Sequence, residues 1–340
     1  MDNNTKHIAP FVELGKLLKT NAIEDIVFKA YSQNHWFTPE FVTHALRAIA
    51  DEYLKEEKLQ AWVSRYPLQS AHPDFISKKI GVVMAGNIPA VGFHDLLSVL
   101  VSGHDLMAKL STDDRLLMMF LIEKLIEIEP SLAQRITLAE RLNAADAYIA
   151  TGSDNTARYF EYYFSKKPHL IRRNRTSVGI LTGEESGDEL AALGRDVFQY
   201  FGLGCRNVSK VLVPTGYDFS KFYEAIESQS DVFRNHHKYF NNYEYNKSVY
   251  LVNGEPHLDN GFLILRQTDS LVSPISVLFF DYYETADELT SKLEAHSEKI
   301  QCIVSKSGFY PGSLPLGDAQ QPSLFDYADG VDTMAFLSSL

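Results

Sequence analysis

Cysteine is scarce in this chain, with two, Cys205 and Cys302, among 340 residues. At most one bridge can form, which excludes a disulfide scaffold and fits a reducing compartment where thiols are buried or reactive. Positive charge is short as well, with 32 Lys+Arg against 44 Asp+Glu and a formal net charge of −12. Such a surface repels phosphate backbones, so no nucleic-acid partner is expected. Long apolar runs are missing. The longest, Gly81 to Phe93, contains Asn87 and Pro89 and is too short to span a bilayer. The start, Met1-Asp2-Asn3-Asn4-Thr5-Lys6, has no charged-then-apolar signal pattern. These absences predict a cytoplasmic chain without a membrane span. There is no internal repeat and no low-complexity segment. Hydrophobic residues at 45% and charged residues at 22% are ordinary for a globular protein, and the length suggests about two domains.

The first eighty residues alternate amphipathic stretches with polar breaks. Phe11 to Leu18 and Ile23 to Tyr31 place apolar residues at helical spacing, and Thr38-Pro39-Glu40 caps a third stretch, Phe41 to Leu54. A helical lead-in packed on the main body is the expectation. From Lys79 the texture changes. Ile80 to Ala85 is a short apolar strand, followed by the turn Gly86-Asn87-Ile88-Pro89 and a helix from Val91 to Ser102. Asp105 to Leu110 is a second strand, with Ser111-Thr112-Asp113 as cap for the helix Arg115 to Ile128. Ala147 to Ala150 is a third strand, with Thr151-Gly152-Ser153-Asp154 opening a helix through Phe164. This alternation is the pattern of a doubly wound sheet, whose right-handed crossovers bring all three post-strand turns to one edge. The second half alternates again. Strands are expected at Thr176 to Leu181, Lys210 to Pro214, Val249 to Val252, Phe262 to Arg266, Ser276 to Phe280 and Ile300 to Val304. Helices are expected at Asp188 to Phe201, Ser220 to Ser228 and Ala286 to Ala295, with a structured loop and a final helix at the end.

Four places carry candidate chemistry. Cys205 lies in the glycine-punctuated turn Gly202-Leu203-Gly204-Cys205-Arg206-Asn207, where Arg206, Lys210 and backbone N–H groups can lower a thiol pKa. A buried structural cysteine is the alternative, and the residues alone leave both open. Cys302, among apolar neighbours, is expected in the core. Asn87, in the turn after a buried strand, can donate its amide to a developing oxyanion or simply shape the turn. Thr151-Gly152-Ser153 offers N–H groups and a hydroxyl to a phosphate, or an ordinary N-cap. Lys109, at a strand end, can reach a ribose or phosphate on the same edge, or sit in solvent. Other signatures are absent. Gly202 and Gly204 lack a third glycine at Asn207, and no G-x-x-x-x-G-K-[ST], H-E-x-x-H or G-x-S-x-G occurs. No metal site is expected: His236-His237 are adjacent, and Asp326, Asp329 and Asp332 are not spaced as an EF-hand loop.

Taken in order, these motifs resemble the aldehyde dehydrogenase superfamily, and most closely its acyl-CoA reductase branch, which includes the fatty acyl reductase of bacterial bioluminescence. Gly86-Asn87-Ile88-Pro89 is similar to the N-F-P turn, Lys109-Leu110-Ser111 to K-P-S, and Thr151-Gly152-Ser153 to T-G-S. Gly204-Cys205 stands where the nucleophile belongs, and Ser273-Pro274 with Ile275 to Phe280 looks like the G-P segment. Ala319-Gln320-Gln321-Pro322 and Asp326 to Thr333 resemble the close of the reductase branch. The resemblance spans residue 80 to the C-terminus.

The resemblance implies an α/β, aldehyde dehydrogenase-like fold, with a Rossmann-type cofactor domain at 1–178 plus 315–340, including a helical lead-in at 1–79. An α/β catalytic domain would occupy 179–314. It implies that Cys205 attacks an acyl-CoA thioester, that Asn87 and the Cys205 N–H hold the oxyanion, and that Lys109, Ser111, Gly152 and Ser153 bind NADPH or NADH. Three departures sharpen this. Where hydrolytic members keep a general-base Glu, this chain reads Arg172-Arg173-Asn174-Arg175, with Glu184 and Glu185 as displaced alternatives. Ser270 or its neighbours replace the ribose-binding Glu. Thr112 stands three residues after Lys109, where an acid would repel a 2′-phosphate, though Asp113 adjoins it. No oligomerisation hairpin is recognisable between Ser153 and Thr176, so either a non-standard homodimer or a monomer fits. The implied activity is reduction of an acyl-CoA to an aldehyde. The rivals are a CoA-independent dehydrogenase using Glu184 or Glu185, and a non-catalytic acyl- or partner-binding relative.

Overall fold

The computed structural model describes residues 3–67 and 75–340. The chain forms two compact units, Met1–Asn174 with Pro322–Leu340, and Arg175–Gln321. The expected boundary at 178 would have cut a strand that lies whole in the second unit, which also holds residues 315–321.

In the first unit, four helices, α1 (Asn3–Leu17), α2 (Glu24–Gln33), α3 (Pro39–Ala48) and α4 (Glu56–Val63), precede the sheet. Their buried faces, including Phe11, Leu14 and Trp62, with Leu18 and Phe37 from the connections, merge with the core around α5 (Phe93–Val101) and α6 (Arg115–Ile128). The cap at Thr38 forms, its hydroxyl accepting the Phe41 N–H at 3.3 Å. The strands are β1 (Lys79–Val83), β2 (Asp105–Lys109), β3 (Ile136–Leu138), β4 (Ala147–Thr151) and β5 (His169–Arg172). They lie parallel in the order β3-β2-β1-β4-β5. α7 (Asp154–Phe164) follows β4. The order in which strands are added reverses between β1 and β4, and the crevice at such a switch is where parallel α/β sheets take ligands.

A buried polar network ties the C-terminal segment into this unit. Tyr327 accepts the Trp62 indole N–H at 2.7 Å, and Tyr66 bonds both Tyr327 (2.6 Å) and Asp332 (2.7 Å). Asp332 also caps α13 (Thr333–Ser338). The buried Arg172 pairs with Asp95 at 2.7 Å and donates to Thr333 at 2.6 Å.

The second unit contains β6 (Thr176–Ile180), α8 (Gly187–Phe198), β7 (Val208–Pro214), α9 (Ser220–Ile226), α10 (Ser230–Asn235) and α11 (His237–Asn253). β8 (Leu258–Asp259), β9 (Ile264–Gln267), β10 (Val277–Tyr283), α12 (Ala286–Glu294), β11 (Ile300–Ser305) and β12 (Leu314–Pro315) follow. The sheet order is β12-β11-β6-β7-β10-β9-β8, parallel except for β8. Leu289 and Leu293 of α12 pack on Val178, Ile180 and Leu212, while α8 lies on the other face, where Leu193 approaches Gly179.

Four local expectations are corrected. Val249 to Val252 is helix, the last turn of α11, with Tyr243, Asn246 and Tyr250 buried at helical spacing and Gly254 as a left-handed cap. Leu251 and Val252 are 62% and 86% exposed, so their apolarity signals no buried strand. α8 stops at Phe198, three residues short of its expected end. Ser111-Thr112-Asp113 does not cap α6, and Asp114 occupies that position with its carboxylate turned elsewhere. Cys302 is half-buried rather than core.

Candidate functional site

The first unit gathers the predicted cofactor residues on the C-terminal edge of its sheet. The Gly86-Asn87 turn follows β1, Lys109 ends β2 and Ser111 follows it, and Gly152-Ser153 follow β4. The β1 and β2 turns are interlocked. A Cβ on Gly86 would stand 2.3 Å from the Ser111 hydroxyl, so no larger residue fits there. Asp114 reaches back, its Oδ1 accepting the Ala90 N–H at 3.1 Å, and Ala90 is left-handed at φ 55°. Burial pushes the Asp114 carboxyl well above the ordinary carboxylate range, against that N–H. The lead-in helices support the same loop, because Gln33 donates to the Thr112 carbonyl at 3.2 Å. Lys109 is exposed. Ser153 caps α7, accepting the Thr156 N–H at 3.3 Å and sharing a 2.9 Å bond with the Thr156 hydroxyl. The N-cap reading of Ser153 is thus realised, at a strand-to-helix junction bordering the β1–β4 crevice.

The second unit places Cys205 on the N-terminal edge of its sheet. α8 starts from a capping box at Ser186 and Glu189 and breaks at Gln199. Three left-handed residues follow, Tyr200 (φ 52°), Phe201 (φ 56°) and Gly202 (φ 78°). Only glycine takes that conformation without cost, so the two aromatics must be held. Phe201 is held by its ring, stacked on His236 at 4.0 Å and set against Phe233 and Tyr239. His236 is fixed in turn, its Nδ1 accepting the Tyr239 N–H at 3.2 Å. Cys205 then occupies a tight turn closed by the Asn207 N–H on the Gly204 carbonyl, at 3.1 Å.

Ser177 links the two cysteines. Its hydroxyl donates to the Cys205 carbonyl at 3.2 Å and lies 3.0 Å from Cys302 Sγ. A serine has one proton to give, so Cys302 is the donor in the second bond. Arg206 gives its Nε–H to the Ala319 carbonyl, and Lys210 its ammonium to the Thr268 carbonyl at 2.9 Å. These two cations, expected near the thiol, thus have backbone acceptors of their own. Asp196 is buried and accepts the N–H groups of Gly317 (2.6 Å) and Ala319 (3.0 Å). Burial raises its pKa to about 7 against those two bonds. The Ser273-Pro274 segment turns back at Ser276 (φ 66°) and lines a small cavity of about 30 Å³ with Phe201, Gly202 and Asn207.

The displaced glutamates lie at the wrong edge. Glu185 follows β6 and is fully engaged, accepting from the Thr182 N–H (2.7 Å), the Thr182 hydroxyl (2.8 Å) and the Gly183 N–H (3.0 Å). Cys205 precedes β7, which runs parallel to β6, so a strand of five residues, roughly 16 Å, separates the two edges. Neither Glu184 nor Glu185 is placed to activate water at Cys205. Asn207, Asp196, Ser177 and Asp114 were missed by sequence reasoning. Only Asn207, a turn-forming residue in the quoted motif, gave any signal.

Among the described residues no group of three or more His, Cys, Asp or Glu could hold a metal ion, and no helix is long and apolar enough to cross a membrane.

No family model matches the sequence, and no curated protein matches it. Solved structures do. Aldehyde dehydrogenase 21 from Physcomitrella patens, in complex with the product succinate, aligns at TM-score 0.69 and 12% identity, over 99% of this chain and 84% of that one. A benzaldehyde dehydrogenase from Corynebacterium glutamicum aligns at 0.66 and 12%, over 89% and 76%. An NAD-dependent aldehyde dehydrogenase from Sinorhizobium meliloti aligns at 0.65 and 12%, over 94% and 72%. The chain therefore has the aldehyde dehydrogenase fold, a Rossmann-type sheet joined to a second α/β unit.

Proposed function

We propose that this protein is an NAD(P)H-dependent acyl-CoA reductase working through an acyl-cysteine at Cys205. The observation that carries this reading is the placement of Glu184 and Glu185 at the end of β6 away from Cys205. The buried arginine of the Arg172 segment is paired with Asp95, and the two alternative glutamates follow a strand whose opposite edge carries Cys205. A thioester at Cys205 would then lack an activated water, and it would persist until reduced.

The first unit fits a dinucleotide. Its strand order puts a topological switch between β1 and β4, and the turns flanking it carry small residues and the start of a helix. Lys109, Ser111, Gly152 and Ser153 are the residues assigned to hold the cofactor, which when bound supplies a hydride. Cys205 thiolate attacks the acyl carbonyl, forming the C–S bond, and the C–S bond to CoA breaks with CoA leaving as its thiolate. After reduction at the acyl carbon, collapse of the thiohemiacetal oxyanion returns the Cys205 thiolate and frees the aldehyde. Asn87 and the Cys205 N–H are assigned to the oxygen that carries charge in both steps. The likeness of fold to enzymes named for aldehydes and NAD supports the class, and the placement of the two glutamates supports the direction.

The test is purified protein with acyl-CoAs of several lengths and NADPH or NADH, following cofactor oxidation, CoA release and aldehyde. Turnover in wild type and none in Cys205→Ala, with cofactor affinity retained, is expected. Acid formed from aldehyde without CoA would overturn the reading in favour of an oxidising dehydrogenase.

A further inference from the structure

A turn that presents a nucleophile must hold its shape against the chain's tendency to relax. The carbonyls at the end of α8 are of the kind a helix leaves without an intrahelical partner. A glycine beyond the last turn usually solves this. Here α8 breaks at Gln199 (ψ 138°), and a side chain from beyond Cys205 does the work instead. Asn207, 2% exposed, donates its Nδ2 hydrogens to the carbonyls of Asp196 (3.0 Å), Val197 (3.3 Å) and Gln199 (2.8 Å). Two hydrogens serve three oxygens, so one is shared. Its Oδ1 accepts the Gly204 N–H at 2.8 Å, and its own N–H closes the turn on the Gly204 carbonyl at 3.1 Å. One buried amide therefore grips the chain on both sides of the left-handed stretch and again across Cys205.

We infer that Asn207 is the positioning residue for Cys205, fixing its sulfur and its backbone N–H as one rigid body. The inference rests on the reading of Cys205 as nucleophile. No other side chain of that size does the same. Aspartate keeps the acceptor for Gly204 but sets a carboxylate against three carbonyl oxygens. Alanine leaves the carbonyls and the Gly204 N–H without this partner. Since a displacement of about 1 Å at reacting atoms can cost a hundredfold in rate, the clamp acts on the chemistry without touching substrate.

The test uses the full chain and p-nitrophenyl acetate, which acylates a positioned thiol without CoA or cofactor. Acylation of Cys205 is followed by peptide mass spectrometry, and alkylation of Cys302 by iodoacetamide is followed in parallel. Asn207→Ala and Asn207→Asp are each expected to slow Cys205 acylation by about tenfold or more, with Cys302 alkylation unchanged. Gly202→Ala keeps the fold available, since the nearest atom to the new Cβ is the Val197 carbonyl oxygen at 3.6 Å. It strains the same stretch and should slow acylation by roughly threefold. Wild-type rates in the Asn207 variants, or Cys302 reactivity rising as Cys205 acylation falls, would overturn the assignment. If the Asn207 variants do not fold, a wild-type rate in Gly202→Ala overturns it. Wild type that is acylated by the ester but never turns over acyl-CoA would refute the reductase reading and leave the clamp standing. Wild type that is not acylated at Cys205 refutes both.

Discussion

The two units use opposite edges of the same kind of sheet. The first puts its candidate residues after parallel strands, where helix N-termini and crossover turns already converge. The second puts Cys205 before a strand, soon after the C-terminal end of α8, where no helix N-terminus or crevice comes with the topology. Each turn contains left-handed residues other than glycine: Ala90 in the first, Tyr200 and Phe201 in the second. Each is clamped by a buried polar side chain, Asp114 on Ala90 and Asn207 around Cys205. The difference is one of degree. One carboxylate bond suffices where the topology builds the crevice, whereas the cysteine edge needs an amide with several bonds and a stacked aromatic cluster.

The comparison can be broken most forcefully through the ion pair in the first unit. Arg172→Ala strands Asp95 in the interior and should cost the first unit about 3–5 kcal/mol, read as a lowered denaturant midpoint with Cys205 acylation spared in whatever fraction stays folded. Phe201→Ala should cost the second unit a comparable or slightly smaller amount, about 3 kcal/mol. It should also slow acylation, because the ring that holds the left-handed backbone is gone.

Asp196 gives a pH test. Its pKa rises from 3.8 unfolded to about 7 folded, so between those values the folded state binds a proton that the unfolded state has released. Stability from this group is therefore largest at acid pH and is lost as pH rises from about 4 to about 7, at up to about 1.4 kcal/mol per pH unit. Asp196→Asn should flatten that slope in melting curves taken across the window. An unchanged slope would show that the carboxyl is ionised throughout. The smallest effect is expected at an exposed cap. Ser186→Ala removes the α8 capping box and should cost about 1 kcal/mol, with no change in acylation.

Much of the fold was legible because the buried strands β1, β2, β4, β6 and β7 are short, β-branched or apolar runs punctuated by glycine and proline. Val249 to Val252 misled because an apolar run of four carries no period of its own. The buried tyrosines at 243 and 250 fix the helix, and their pairing with the sheet is long-range. Cys302 misled for a related reason: apolar neighbours in sequence do not reveal that Ser177 stands beside it. The turns at Gly204-Cys205 and Gly86-Asn87 were legible because glycine marks a backbone that must turn sharply or be approached closely. Their clamps were not, since Asp114 looks like a helix cap and Asn207 like a turn residue until the carbonyls they serve are placed in space.

The most direct measurement is single-turnover acylation with an isotopically labelled acyl-CoA and no reduced cofactor. A stable label on Cys205, discharged as aldehyde when NADPH or NADH is added, is the predicted result. A label that leaves as free acid before any cofactor is supplied would contradict the account, because it would mean that water is activated at Cys205 after all.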